Sequence, residues 1–383
     1  MKFHRAHLAY CTNIHPAGNW EETRHSLQTH TLGVRDLLKK QGMLATNEAF
    51  AIGLRLSAHA ASELLQGDQL ARFRDWLAET NTYVFTINGF PYGDFHATRV
   101  KEQVFAPDWT HHDRVDYTKN LFEILAAIAP ANSGGSVSTL PGSHKLFEAD
   151  ESIIRKNLIH LADWLDDLSA RSGKDLHLGL EPEPLGHIEN TKESLAFFNR
   201  LTNEASDPTS LLNRIGINYD CCHFALQFED AKHSLDALTH AGIRISKVHL
   251  SNALTLDPQN PAAIAAISSF DEPVYSHQVI HQNLSGTLSR FLDLPDFLRA
   301  TPSSLTGEAR VHFHIPLDAK PSTPLGSTSD HVMDALSWLG SHPDACTHLE
   351  IETYTWGVLP TELRRPVEEQ IAAEYRWVLA QNM

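Results

Sequence analysis

Five strand-like runs in this chain end in side chains that hold metals or move protons. Leu176 to Glu183 ends in Glu181 and Glu183, and Ile215 to His223 delivers Asp220 and then His223. Ile245 to Asn252 carries His249, Val311 to Pro316 carries His312 and His314, and Thr347 to Thr353 carries Glu350 and Glu352. At the C-terminal edge of a parallel sheet such groups converge, since the last inward-facing residue of each strand opens into the mouth. Two carboxylates about 4 Å apart repel by roughly 4 kcal/mol at an effective dielectric near 20. A cluster of three therefore needs a cation, a shared proton or a nearby Arg. Arg is absent from these strand ends and Lys247 is expected to point away, so a divalent metal is the simplest compensation. Three carboxylates and one imidazole make a mostly oxygen site suited to Mn²⁺, Mg²⁺, Co²⁺ or Zn²⁺. Periodicity does not choose between Glu181 and Glu183, or between Glu350 and Glu352, because each pair shares parity.

Other residues leave more than one reading. His223 suits a second metal, a substrate contact or the start of the following helix. His312 and His314 flank Phe313 and so face one way, onto a pocket or a strand surface. Cys221 and Cys222 read as packing residues. There is no Gly-x-Gly-x-x-Gly, no Walker-type Gly-Lys-Ser/Thr and no serine nucleophile elbow.

The elements that must position these groups alternate along the chain. Strand patterns fall near 7–13, 50–56, 83–88, 135–140, 176–181, 215–220, 245–250 and 347–353. Helical periodicity covers 20–40, 67–80, 112–129, 150–171, 190–204, 229–241, 328–340 and 361–381. Eight strand–helix units predict an α/β fold, a (β/α)8 TIM barrel, as one domain over 1–383. Two connections exceed ordinary loop length, 89–111 after the third strand and 252–327 after the seventh, and both are expected to lie as ordered lids over the catalytic face.

Composition narrows the partners. The net charge of −16 argues against a nucleic-acid surface, which needs clustered Lys and Arg. The four cysteines form no Cys-x-x-Cys pair, no run has signal-peptide or membrane-span character, and the expectation is a reduced, cytoplasmic protein without a membrane span. A homo-oligomer is compatible with the sequence.

The order of endings, Leu-Glu-Pro, Tyr-Asp-Cys-Cys-His, Val-His-Leu and Ile-Glu-Thr, resembles the xylose-isomerase-like TIM-barrel superfamily of sugar isomerases, epimerases, inosose-processing enzymes and endonuclease IV. Tyr10–Pro16, Leu180–Pro184, His312–Pro316 and Leu349–Trp356 look most like the EboE-type metabolite traffic proteins of that superfamily. The resemblance implies Glu181, Asp220, His249 and Glu352 as metal ligands. Glu181 and Glu352 would also shuttle a proton at a carbon next to a carbonyl. Endonuclease IV relatives carry further His ligands where this chain has Asn88-Gly89 and Thr139-Leu140-Pro141. His312 and His314 nevertheless resemble that family's extra Asp-x-His pair, which keeps a second metal with His223, Glu183 or Glu350 open.

The expected activity is metal-dependent isomerisation or epimerisation of a sugar, cyclitol or similar polyol. Substrate contacts would come from His15, His59, Asn88, Tyr92, His96, His144 and Trp356. The alternatives are a non-catalytic carrier on the same barrel and a metal-dependent phosphoesterase.

Overall fold

A computed structural model describes residues 1–93, 101–300, 304–321, 323–360 and 364–381. Eight parallel strands form the central wall: β1 (Ala6–Tyr10), β2 (Phe50–Arg55), β3 (Thr82–Asn88), β4 (Gly135–Thr139), β5 (Leu176–Leu180), β6 (Ile215–Asp220), β7 (Ile245–Leu250) and β8 (His348–Ile351). Their order is β1-β8-β7-β6-β5-β4-β3-β2, with a short Lys2–Phe3 strand antiparallel to β1. The sheet curls until its ends meet at a parallel bridge between Cys11 and Gly53. All eight strand positions lie within a few residues of those read from the sequence. Near-continuous apolar runs such as Leu176–Leu180 are buried on both faces, as a sheet wrapped by helices requires.

Helices pack outside this wall, and their ends carry local signals. Asn190 accepts a hydrogen bond from the Glu193 N–H and caps Thr191–Glu204, while Gly173 at φ 67° ends the 22-residue helix Glu151–Ser172. The sequence reading lacked the short helices Ala58–Leu64, Pro208–Arg214 and Cys221–Leu226. Each is about two turns, too short for its periodicity to stand out. No helix among the described residues is long and apolar enough to cross a membrane.

The larger difference lies in the connection after β7. Residues 252–327 are not a loop: they hold a five-stranded antiparallel sheet, ordered Leu288–Phe291, Val279–Gln282, Glu308–Val311, Leu254–Leu256 and Gly326–Ser327. It has its own apolar cluster, including Leu254, Val279, Phe297, Val311 and Phe313. Arg290 ties it to the main body through Glu189 (2.7 Å), and Arg310 donates to the Ala225 carbonyl (2.5 Å). His312 and His314 leave the end of Glu308–Val311 and drop back over the main sheet, with Ile315 N–H bonded to the Asn252 carbonyl.

Candidate metal centre

Register brings the strand-end groups together. Asp220 pairs laterally with His249 and His249 with Glu350, so these side chains share the inner face. Glu181 follows β5 and Glu352 follows β8; their backbone N–H groups bond to the Thr139 and Leu250 carbonyls and continue the ladder. Glu181, Asp220, His249 and Glu352 offer ligand atoms that all lie within 4.8 Å of one another, and all four are buried.

Each carboxylate is tethered through one oxygen and aims the other at His249 Nδ1. Glu181 Oε2 accepts from Asn218 Nδ2 (2.7 Å), leaving Oε1 3.3 Å from the imidazole. Asp220 Oδ1 accepts from the His223 N–H (3.0 Å) and Ser251 Oγ (2.7 Å), leaving Oδ2 at 3.4 Å. Glu352 Oε1 accepts from Asn13 (2.8 Å) and Asn88 (3.0 Å), leaving Oε2 at 3.2 Å. Asp220 Oδ2 is fully buried and accepts no hydrogen bond, a costly state for a carboxylate oxygen unless a cation meets it. The donor set thus fits a divalent cation on its own geometry.

The charge pattern agrees. Burial, reinforced by the neighbouring Glu352 and Asp220 against the pull of His249, pushes Glu181 up to about 7. Glu183 is likewise held well above the ordinary carboxyl range, by burial and then by Glu181. Burial works against a charged His249, yet Glu352 and Glu181 outweigh it and hold the imidazole well above its ordinary range. The cluster therefore draws positive charge to itself.

One layer below, Lys247 is a correction to the sequence reading. It shares parity with His249 and so points inward: its Nζ lies 2.6 Å from Glu350 Oε2, with both side chains fully buried. Glu350 is also 2.8 Å from His249 Nε2, beneath the ligand cluster rather than in it.

A second convergence lies beside the first. His223, His312 and His314 bring their Nε2 atoms together at 3.1 and 3.2 Å. Their Nδ1 atoms face acceptors: the Pro182 carbonyl (3.1 Å), Gln278 Oε1 (2.6 Å) and the Glu352 carbonyl (3.1 Å). Donation from each Nδ1 leaves three Nε2 lone pairs facing one another. Burial lowers His223 to about 4 and also holds His312 well below its ordinary range, so protons are poor neutralisers of that convergence. Glu183 Oε2 is 3.7 Å from His223 Nε2, and the buried Cys222 Sγ lies within 4.8 Å of ring nitrogens of His312 and His314.

Both groups open into a cavity of about 460 Å³ whose floor includes Glu181, Glu183, Glu352, Asn88, His223 and His312. Of the substrate contacts expected from the sequence, Asn88 and His144 line it. His15 does not: it bonds Tyr10 Oη (3.0 Å) and lines a separate surface hollow with His25 and His30. His59 stands 68% exposed on a helix, paired with Glu63 at 3.1 Å. Tyr92 packs edge-to-face on Tyr117 beside Arg114, and Trp356 donates to the Arg365 carbonyl (2.8 Å). These were chosen by nearness in sequence to a strand end, which does not fix the direction of a loop side chain. His96 lies outside the described residues. Asn13, Asn218, Ser251 and Gln278, which orient the ligand groups, were missed; Asn218 had a signal, standing two residues before Asp220 on the same face.

No family model matches the chain, and no curated protein does. Solved structures match over nearly its whole length. The IolI protein with a bound zinc atom is 13% identical, covers 98% of this chain and 99% of its own, and gives a TM-score of 0.50. A probable 3-DHS dehydratase, AsbF, from Bacillus anthracis is 12% identical over 98% of both chains with a TM-score of 0.48. A D-tagatose 3-epimerase-like protein is 12% identical over 98% of both, at 0.47. At these identities the IolI likeness bears on fold alone, a TIM-barrel arrangement of parallel strands wrapped by helices.

Proposed function

We propose that the chain is a metal-dependent isomerase or epimerase acting on a sugar, cyclitol or related polyol. The observation that carries this reading is the set of three tethered carboxylates, each with one oxygen aimed at His249 Nδ1. Glu181, Asp220, His249 and Glu352 would hold a divalent cation such as Mn²⁺, Zn²⁺, Co²⁺ or Mg²⁺, which supplies Lewis-acid polarisation of substrate oxygens. The chain's own residues do the rest. Glu181 and Glu352 stand on opposite sides of His249, so one carboxylate can remove a proton from a substrate carbon and the other return it. Asn13, Asn88 and Asn218 hold those carboxylates in place before substrate arrives, which lowers the reorganisation needed at the moment of transfer. The motif likeness to EboE-type proteins supports a place in that group, and the zinc atom bound in the structurally similar IolI protein supports the choice of a divalent metal.

The testing experiment is elemental analysis of protein purified without chelator, beside an Asp220→Asn variant. About one metal per chain that disappears in the variant supports the reading. No metal after supplementation overturns it and leaves a barrel that carries a metabolite without turning it over.

A second reading, a two-metal phosphoesterase, is favoured by the facing Nε2 atoms of His223, His312 and His314. Two metals per chain, one lost in a His312→Ala variant, with phosphate release from phosphoesters, would move the assignment there.

A further inference from the structure

We infer that the substrate is a polyol bearing an uncharged apolar substituent, the polyol on the carboxylate floor and the substituent in the vestibule above it. This rests on the proposed reading of the floor as the polar subsite, and it adds what the upper half of the cavity recognises.

The two halves differ in chemistry. Above the floor, one wall comes from the chain around Val104–Leu146 and the other from the inserted sheet. Phe105 is pre-stacked edge-to-face between Phe90 (5.3 Å) and His144 (4.8 Å), so it presents a fixed aromatic surface. Leu146 and Leu292, one from each of these two segments, line the same cavity and stand 59% and 47% exposed. A lone exposed leucine means little, but two that line a single cavity form a site that a ligand can close. Leu185, on the same lining, is held at φ 66°, a left-handed backbone that a bulky L-residue adopts only at a cost. Such strain is retained where its product, here an apolar side chain set at the cavity wall, is used.

Several polar groups of this rim are engaged with the rim itself. Ser276 Oγ donates to the Leu292 carbonyl (3.0 Å), Asp293 Oδ1 accepts from the His277 and Leu294 N–H groups, and Arg299 is paired with Asp296. Hydroxyls all round a free sugar would meet few unspent partners among these described residues, whereas an alkyl or aryl group would be covered on both sides. Among the described lining residues, Glu102, Asp293 and Asp296 set a negative rim against Arg299, which disfavours a substituent ending in a carboxylate or phosphate.

The test is calorimetric titration of the full chain, metal-loaded and metal-free, with 1,2-propanediol, 1,2-hexanediol and 1,2-octanediol. The expected result is binding that tightens about threefold to fourfold per buried methylene. In a Leu146→Asp/Leu292→Asp variant, whose exposed positions leave the fold intact, the gain should vanish while propanediol binding stays within about twofold of wild type. Affinity independent of chain length, or a gain equal in the variant, overturns the inference. Failure of the metal reading shows separately, as propanediol binding that is indifferent to metal loading, because the chain-length gain is read in both forms.

Discussion

Lys247 Nζ and Glu350 Oε2 lie 2.6 Å apart with neither side chain exposed, and the same carboxylate oxygen receives His249 Nε2 at 2.8 Å. Burial works against ionisation of Glu350, but Lys247 and His249 prevail and hold its carboxyl at about 2. A carboxylate behind a metal-binding histidine fixes its tautomer, so His249 presents the Nδ1 lone pair to the three carboxylates above. Lys247 keeps that carboxylate charged.

Removing the lysine should therefore destabilise the fold through the charge left behind. Lys247→Met is expected to cost roughly 3–5 kcal/mol in denaturant unfolding, with most of it restored in Lys247→Met/Glu350→Gln. A single variant as stable as the double would show that the pair does not act as a unit.

Glu350→Gln alone should act on metal affinity. Chelator competition is expected to show binding weakened about 10- to 100-fold with unchanged stoichiometry at saturation. Wild-type affinity in the variant would remove the orienting role from Glu350.

Gly53 sits where the two ends of the sheet meet. A Cβ there would run into Glu350 Oε1 and lie 2.6 Å from the Tyr10 carbonyl oxygen, while Gly357 has open space around its Cβ position. Gly53→Ala is predicted to lose about 1–3 kcal/mol or more, and Gly357→Ala less than about 0.5 kcal/mol. Equal thermal shifts for the two would contradict the crowding argument.

Glu374 gives a pH dependence with a defined sign. Buried beneath Thr353 Oγ1 (2.6 Å) and the Leu317 N–H (3.1 Å), its carboxyl is raised by burial to about 8. The native state keeps a proton that the unfolded chain releases above its ordinary value of 4.5. Stability from this group is thus complete below about 4.5 and is lost as pH climbs towards 8, by up to about 1.4 kcal/mol per pH unit. Glu374→Gln keeps the acceptor without the charge. Its melting temperature should exceed wild type at pH 7.5 and match it near pH 5; parallel curves at both values would refute the assignment.

The parts legible in the sequence are those written into a strand. Leu-Gly-Leu-Glu at 178–181 and Ile-Asn-Tyr-Asp at 217–220 place an acid at the end of an apolar run, so both the strand and its acidic ending could be read. That is why Asp220, His249 and the two Glu pairs could be placed at strand ends, whereas the choice of Glu181 over Glu183 and of Glu352 over Glu350 came from the family resemblance, since each pair shares parity. The inserted sheet was not legible because its strands run two to four residues, too short for an alternating pattern. Lys247 is expected to point outward only if it is placed on the opposite parity to His249; two residues apart, they share a face, and the buried Glu350 that accommodates the lysine lies on another strand. Asn13 and Asn88 reach Glu352 from loops and strands far away in sequence, a relation that no local window contains.

The position of β8 has a consequence for biosynthesis. Asn13 and Glu352 stand 339 positions apart, and β8 pairs with both β1 and β7. On the ribosome, elongation must pass the whole inserted sheet before that strand emerges. Until then the nascent sheet has two open edges, which are templates for mispairing. The final strand closes those edges and delivers Glu352 in the same step, so any ligand that meets all four groups can engage only a chain whose wall is already sealed.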